Sequence, residues 1–344
     1  MAGAFVTGAS FGAALAAAGI YQPDVIIAQL ELENWHMIQT FLTASGTSML
    51  IVTISRHLGY INMKPRSYSS LGILPTSLDG NIIGGLFQGV GMALAGACSG
   101  TVFAQVGSSV RSGLYTLGGA MLGGVIWSGV LRDAIQRRKQ ARASRQKKTH
   151  PSNNNKGEST TTTILSVPDL LGTQSSLPAL ALIETAFAAA VAAVSLLGLA
   201  KKTTGALVDP VTGGLLVAGA QLVSIVTRGS LLGTSTSFEE LGDYVAWWVL
   251  GRGKPTSRSA LVLVAGMMAG ALGVSFAMPP QTAAAAAGAV KPLVGGALIA
   301  LGSRMAGGCT SGHGISGMSL LSVSSFVTIA AMFAGGMGTV ALLK

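Results

Sequence analysis

The sequence contains few charged residues: Asp, Glu, Lys and Arg together make up 10% of its 344 positions, against about 25% in ordinary soluble domains. Between the charges lie segments of about 15–22 residues with at most one charge each, close to the roughly 17–25 residues that a membrane-spanning helix needs. These segments are Val6–Ile20, Gly113–Val130, Ala179–Leu199, Val211–Val226, Leu261–Met278 and Ser322–Leu343. The shortage of charge therefore excludes an ordinary soluble domain and predicts an all-α integral membrane protein.

Sequence motifs of several enzyme classes are also absent. There is no GxxxxGK[ST] phosphate loop and no HExxH zinc motif, so neither ATP-driven pumping nor metalloprotease chemistry is supported. The two cysteines, Cys98 and Cys309, form no CxxC and have no zinc-ligand spacing. We therefore expect no enzymatic activity, no catalytic residues, no cofactor and no metal site.

What the sequence does contain is glycine, at 48 positions, and one strongly basic segment. Nine of the 22 Lys and Arg residues lie between Arg132 and Lys156. No aromatic residues alternate with them, so nucleic-acid binding is not indicated, and the positive-inside rule predicts a cytoplasmic loop. The polar tract THPSNNNKGESTTTT (149–163) is expected to be disordered. These segments divide the chain into a first membrane half at 1–131, a basic and polar linker at 132–170, and a second membrane half at 171–344.

The two halves share an internal repeat with a constant offset of 211 residues. Six of the fifteen positions from Gly84 to Cys98 are identical to their counterparts, without a gap. The matched pairs are Gly84/Gly295, Gly85/Gly296, Gly91/Gly302, Ala95/Ala306, Gly96/Gly307 and Cys98/Cys309. Such repeats in membrane proteins usually form two halves about a pseudo-two-fold axis. We therefore predict two pseudo-symmetric, inverted halves.

An inverted arrangement requires the first half to cross the membrane an odd number of times. The sequence indicates spans near 5–22, 37–55 and 113–131, with a broken segment near 81–109. If the broken segment is re-entrant, three crossings remain, and the N-terminus lies on the face opposite the basic loop; otherwise there are four.

The glycine- and serine-rich sequences AGACSG and GGCTSGHGISG surround the two cysteines. Such sequences interrupt helices, and irregular backbone at membrane depth must be buried in protein or line a cavity. The N-terminal end of a half-helix favours an anion, and a thiol suits sulfur better than oxygen because it is a weak, soft donor. The alternative, that each cysteine is a small apolar filler, is disfavoured by the repeat. The candidate substrate-binding residues are Cys98, Ser99, Gly100, Arg304, Cys309, Thr310, Ser311 and His313.

Arg304 lies in an apolar stretch, about one turn before the second cysteine. Charges within spans usually face the protein interior or an aqueous cavity, so Arg304 either supplies positive potential to an anion or has a structural role. His313 has no second histidine or acid nearby in sequence, and hydrogen bonding within its loop is the default expectation. Acidic residues expected in a solvated loop are Glu239, Glu240 and Asp243.

The stretch GGALIALGSRMAGGCTSGHGISGMSLLSVSSFVTIAAMFAGGMGTV (295–340) resembles the C-terminal signature of the YeeE/YedE sulfur-transport proteins, and SFGAALAAAGIYQPDVIIAQL (10–30) resembles their N-terminal segment. The resemblance implies a permease for thiosulfate or a related sulfur-containing anion. It further implies that cysteines in broken helices contact the terminal sulfur of the anion in turn, a role that falls by motif match on Cys98 and Cys309. Members of the family often have further cysteines, one of them where this chain has Ser316.

Two other functions remain open on the sequence alone. One is a membrane enzyme of sulfur or selenium transfer that carries a persulfide on a reactive thiolate. The other is a membrane scaffold whose basic segment binds anionic lipid or a partner. The permease interpretation predicts a multi-pass protein of the plasma membrane with the basic loop in the cytoplasm. Its expected partners are the lipid bilayer and a small sulfur anion, with no nucleic acid.

Overall fold

The computed structural model of the chain describes residues 1–149, 166–172, 175–201, 203, 205–251, 253–277 and 288–344, and it leaves the side chains of 141–149 and 250 undescribed. Most of the polar tract predicted to be disordered, residues 150–163, lies outside the described residues. The helices are α1 (Ala2–Ala17), α2 (Pro23–Leu30), α3 (His36–His57), α4 (Asp79–Ala95), α5 (Thr101–Gly107), α6 (Arg111–Ile126), α7 (Arg132–Thr149), α8 (Val167–Leu170), α9 (Leu177–Leu196), α10 (Pro210–Arg228), α11 (Thr236–Leu250), α12 (Ser259–Ser275), α13 (Val290–Met305) and α14 (Val323–Leu343). Short π-helical segments cover Trp127–Leu131 and Ser311–Gly317.

Five helices in the described part of the chain are long and apolar enough to cross a membrane. They are His36–His57, Arg111–Gln140, Leu177–Leu196, Pro210–Arg228 and Val323–Leu343, and α1 and α12 are shorter apolar helices. No β-strand occurs among the described residues. The prediction of an all-α integral membrane protein is confirmed.

Apolar side chains cover the outside of the helix bundle, and polar side chains lie in its interior. On α9 only Ala179 and Val194 are buried, and Leu196 is 87% exposed. The hydroxyls of Thr40 and Ser45, in contrast, are buried on α3 and donate hydrogen bonds to carbonyl oxygens. An apolar surface of this extent is suited to contact with lipid or with another protein.

Glycines of the repeat bring α4 and α13 together at the centre of the bundle. A Cβ atom on Gly84 would lie 2.6 Å from the Gly302 carbonyl oxygen, and one on Gly91 would lie 2.6 Å from the Gly295 carbonyl oxygen. The two helices are therefore antiparallel, because the beginning of α4 lies against the end of α13 and the end of α4 against the beginning of α13. Because Gly295 and Gly302 are the counterparts of Gly84 and Gly91, the repeat offset interchanges the two contacts, as a two-fold axis would.

The 211-residue offset also relates other helix pairs to one another. α4 packs parallel to α14, with Gly85 against Thr328 and Gly89 against Met332, and the counterpart pair α13 and α6 also packs in parallel. α1 packs antiparallel to its counterpart α10, because Gly3 lies against Thr227 at one end and Ala18 against Gly213 at the other. Small residues at these contacts let the backbones approach closely.

The helix directions correct the expected position of the N-terminus. The amide of Gln105 donates to the carbonyls of Tyr21 and Gly96, which lie just beyond the ends of α1 and α4, so these two helices end at the same side of the bundle. α6 runs opposite to α4, since α13 is antiparallel to α4 and parallel to α6. The N-terminus and the basic helix α7 therefore lie at the same end of the bundle. The alternative count of four passes in the first half fits these helix directions, and the number of crossings stays a prediction.

Candidate functional site

Both cysteines lie directly after a break in a helix. α4 ends at Ala95 and is capped by Gly96, whose φ of 57° is left-handed, and Gly307, its counterpart after α13, has a φ of 78°. Glycine adopts this conformation without the steric penalty that a Cβ atom would impose. The chain then reaches Cys98 in the first half and Cys309 in the second, and the next short helical segment begins at Thr101 or Ser311.

The two thiols accept equivalent hydrogen bonds from the backbone. The N–H of Thr101 donates to the Cys98 sulfur at 3.4 Å, and the N–H of Gly312 donates to the Cys309 sulfur at 3.4 Å. Thr101 and Gly312 are counterparts under the 211-residue offset. Since the sulfur acts as acceptor in this bond, its own S–H remains able to donate to a ligand.

Polar groups surround the second thiol on several sides. The Cys309 sulfur lies 3.4 Å from the Thr234 hydroxyl and 3.2 Å from the Ser311 hydroxyl. Ser99, the neighbour of the first cysteine, approaches it from the other half, and apart from this contact the buried Ser99 Oγ has no hydrogen-bond partner. Cys309 itself is fully buried. These groups can stabilise negative charge beside the sulfur, because each offers a hydrogen-bond donor.

A narrow cavity of about 40 Å³ lies where the two broken segments meet. Cys98, Gly100 and Thr101 line it from the first half, and Thr310, Ser311 and Ile315 line it from the second half. The remainder of the lining includes the apolar side chains of Phe11, Leu15, Ile20, Met37 and Phe41. A space of this size holds on the order of three water molecules. A larger ligand could enter this space only after a rearrangement of the lining.

Arg304 lies away from this cavity. Its guanidinium forms an ion pair with Glu239 of α11, and Arg132 pairs with Glu239 at 3.4 Å and with Asp243 at 3.0 Å. The expectation that Glu239, Glu240 and Asp243 occupy a solvated loop is wrong, because all three lie on α11. Glu239 and Asp243 pair with the two arginines. A substrate-binding role for Arg304 stays a prediction, and its positive charge is balanced in the structure.

His313 is buried and hydrogen-bonded within the second broken segment. Its Nδ1 lies 3.0 Å from the Ser325 hydroxyl and its Nε2 lies 3.2 Å from the Ala306 carbonyl oxygen. A neutral ring that donates from Nε2 and accepts at Nδ1 satisfies both bonds, although the tautomer is inferred from the partners. The described residues contain no group of three metal-ligating side chains. The two hydrogen bonds of the imidazole thus stabilise the segment that carries Cys309.

Three neighbours of the site were not singled out from the sequence. Thr101 and Thr234 are ordinary polar residues whose contacts with the thiols depend on the fold. Arg66 belongs to the irregular segment 58–78 between α3 and α4, yet its Nη1 donates to the Gly307 carbonyl at 2.9 Å. The sequence signal for Arg66 is weak, because the residue lies outside every apolar span.

Comparison with known proteins agrees with this architecture. The profile of the family described as "Sulphur transport" matches residues 4–338. The chain belongs to this sulphur-transport family. A "Probable transporter" from Xylella fastidiosa (strain 9a5c) is 32% identical over 133 residues, which cover 38% of this chain and 90% of that protein. A "Probable transporter" from the Temecula1 strain is 33% identical over 132 residues, covering 38% of this chain and 90% of that protein.

Membership in the sulphur-transport family confirms the resemblance drawn from the sequence. It also accounts for the combination of multiple apolar helices with a polar interior, since a transporter must surround a polar substrate within an apolar shell. The protein is a multi-pass membrane transporter related to sulphur transport. The two broken segments and their cysteines are its candidate substrate site.

Proposed function

We propose that this protein is a permease for thiosulfate or a related sulfur-containing anion, and that the anion passes Cys98 and Cys309 in turn. The observation that carries the proposal is the matched pair of thiols, each of which accepts a hydrogen bond from the N–H three residues later. Cys98 lines the cavity between the two broken segments, and Thr310 and Ser311, which follow Cys309 directly, line it from the second half. Packing alone gives no reason for the same thiol geometry in both halves. The membership of the sulphur-transport family supports the substrate class.

The chemistry of the thiols fits a substrate that must be released as readily as it is bound. The terminal sulfur of thiosulfate is large, polarizable and weakly hydrated, and an S–H group is a weak donor. Conduction requires binding that is strong enough for the ion to enter and weak enough for it to leave. Two thiols in succession provide such weak contacts, and the hydroxyls of Ser99, Ser311 and Thr310 would contact the oxygens of the anion.

The two halves have opposite orientations in the membrane in this proposal. The antiparallel contacts of α4 with α13 and of α1 with α10 support it, because each pair joins counterparts of the repeat. The first half contributes four passes, and α9, which has no counterpart in the first half, adds the fifth. α9 packs antiparallel to α3, with Gln39 against Ser195 and Gly46 against Glu184. This additional pass inverts the second half relative to the first.

The proposed location is the plasma membrane, with the basic linker in the cytoplasm. The concentration of Lys and Arg after α6 supports this orientation. Cys98 then lies nearer the outer face and Cys309 nearer the cytoplasmic face, since α4 and α13 run in opposite directions towards them. Inward transport would thus bring the anion to Cys98 first.

Uptake of labelled thiosulfate into lipid vesicles that contain only the purified protein tests this function. We expect saturable uptake that empty vesicles lack, with excess unlabelled thiosulfate inhibiting far more strongly than excess sulfate, which has no terminal sulfur. Absence of uptake would overturn the proposal, and equal inhibition by sulfate would contradict recognition through sulfur.

A further inference from the structure

We propose that Arg66 is the residue that selects for negative charge at the Cys309 end of the path, a proposal that rests on the proposed permease function. Arg66 lies in the first half, in the segment 58–78, and yet contacts the broken segment of the second half. Its Nη1 donates to the Gly307 carbonyl at 2.9 Å. The adjacent Gly308 and Gly312 leave open the space around the guanidinium.

Glycine geometry places the guanidinium beside the thiol. A Cβ atom on Gly312 would lie 3.3 Å from the Arg66 Nη2 and 3.5 Å from the Cys309 sulfur, so both groups border the same small space. A Cβ atom on Gly308 would lie 2.7 Å from the Arg66 Nη1 and 2.8 Å from the His313 Nε2. Any larger residue at 308 or 312 would push the cation away from the sulfur.

The charge of Arg66 is not balanced by a carboxylate. Within the described part of the chain, the ion pairs involve Arg132, Arg304 and Lys344, and none involves Arg66. Arg304 was the arginine expected to attract the anion, but its partner Glu239 compensates its charge. A half-buried, uncompensated guanidinium strongly favours an anion nearby, because its fork of N–H donors matches an oxyanion.

The segment that carries Arg66 is firmly attached at this position. The Arg66 carbonyl accepts hydrogen bonds from the hydroxyls of Ser322 and Ser324 at 3.1 and 3.2 Å. Ser69 donates through its hydroxyl to the Met305 carbonyl at 2.6 Å, and its N–H donates to the Asn81 side chain. Arg66 is thus fixed before an anion arrives.

The hydroxyl of Ser99 indicates where the ligand would lie. This buried Oγ approaches the Cys309 sulfur from the side of the first half, and apart from this weak contact with the thiol it has no hydrogen-bond partner. A buried hydroxyl whose hydrogen bonds are incomplete is costly unless a ligand or water satisfies it. An oxyanion beside Cys309 would accept hydrogen bonds from Ser99 on one side and from Arg66 on the other.

Concentration-dependent thiosulfate uptake by vesicles with the unaltered protein, Arg66→Gln or Arg66→Lys tests the proposal. Lys64→Gln is the matched control, since Lys64 is an exposed cation in the same segment. We expect Arg66→Gln to raise the KM at least tenfold, the effect of losing one charge-assisted hydrogen bond, with a smaller change in kcat. Arg66→Lys should restore much of the affinity, and Lys64→Gln should leave the KM unchanged.

The outcomes separate this inference from the permease function. If the unaltered protein transports thiosulfate and Arg66→Gln has the same KM, the role of Arg66 is overturned and the permease stands. If Arg66→Lys is as defective as Arg66→Gln, or if both change kcat alone, Arg66 acts through structure and not through charge. If the unaltered protein transports nothing, the permease function itself fails.

Discussion

Gly91 of α4 packs directly against Gly295 of α13: a Cβ atom on Gly91 would lie 2.6 Å from the Gly295 carbonyl oxygen, and one on Gly295 would lie 2.7 Å from the Gly91 carbonyl oxygen. Each glycine thus leaves the space that the backbone of the other occupies. The two helices that end at the cysteines meet through this contact. The position of both thiols therefore depends on residues that have no side chain.

This contact predicts a large effect from a single methyl group. Gly91→Ala and Gly295→Ala should each destabilise the protein by about 1–3 kcal/mol, the usual cost of overpacking, because backbone must move to admit the Cβ atom. Gly118→Ala on α6 is the control, since nothing lies within 4 Å of a Cβ atom there. Thermal unfolding in detergent measures the difference. Equal melting temperatures for all three variants would refute the close contact.

The second prediction concerns topology. In a background with Cys98 and Cys309 replaced by Ala, a cysteine at Ala2 and one at Arg138 should react with an impermeant thiol reagent from the same face of the membrane, and one at Leu342 from the opposite face. All three positions are exposed. Gly3 is avoided because a side chain there would collide with Thr227. Labelling of Ala2 and Arg138 from opposite faces would contradict the helix directions.

The third prediction concerns the ion pair of Arg304 with Glu239. Arg304→Gln should lower stability by about 1–3 kcal/mol, the typical contribution of a hydrogen bond to a charged group, and leave the KM for thiosulfate unchanged. Adding Glu239→Gln should cost less than the sum of the two single changes, since the partners are coupled. Arg111→Gln, at an exposed arginine, is the control. A raised KM without loss of stability would instead indicate that Arg304 lies on the anion path.

The sequence predicted the membrane class because that class depends on local composition, and direct comparison of the two halves revealed the repeat and its matched cysteines. It could not predict on which side of the bundle the N-terminus lies. The segment around Gly96 can be counted as a re-entrant turn or as a full pass, and only the direction of α4 in the fold distinguishes the two. The position of Arg66 beside the second broken segment could not be predicted either. Its contact with Gly307 joins residues 241 positions apart, and neither composition nor periodicity contains such information.

The fourth prediction concerns access to the thiols. A small thiol reagent should block thiosulfate uptake by the unaltered protein, and excess thiosulfate should slow the block because the anion and the reagent compete for the thiols. Cys98→Ser and Cys309→Ser should each transport more than the corresponding alanine variant but less than the unaltered protein. A hydroxyl donates a hydrogen bond as a thiol does, but it is smaller and less polarizable. Reagent block that thiosulfate leaves unchanged would indicate that the thiols lie off the path.

The most direct test of the account is thiosulfate uptake by the Cys98→Ala, Cys309→Ala double variant in vesicles, with its melting temperature measured alongside. The account predicts a loss of uptake of roughly tenfold or more, the effect of removing two weak donors from the path, in a protein that still unfolds cooperatively near the normal temperature. Uptake equal to that of the unaltered protein would contradict the account, because both cysteines would then be packing residues.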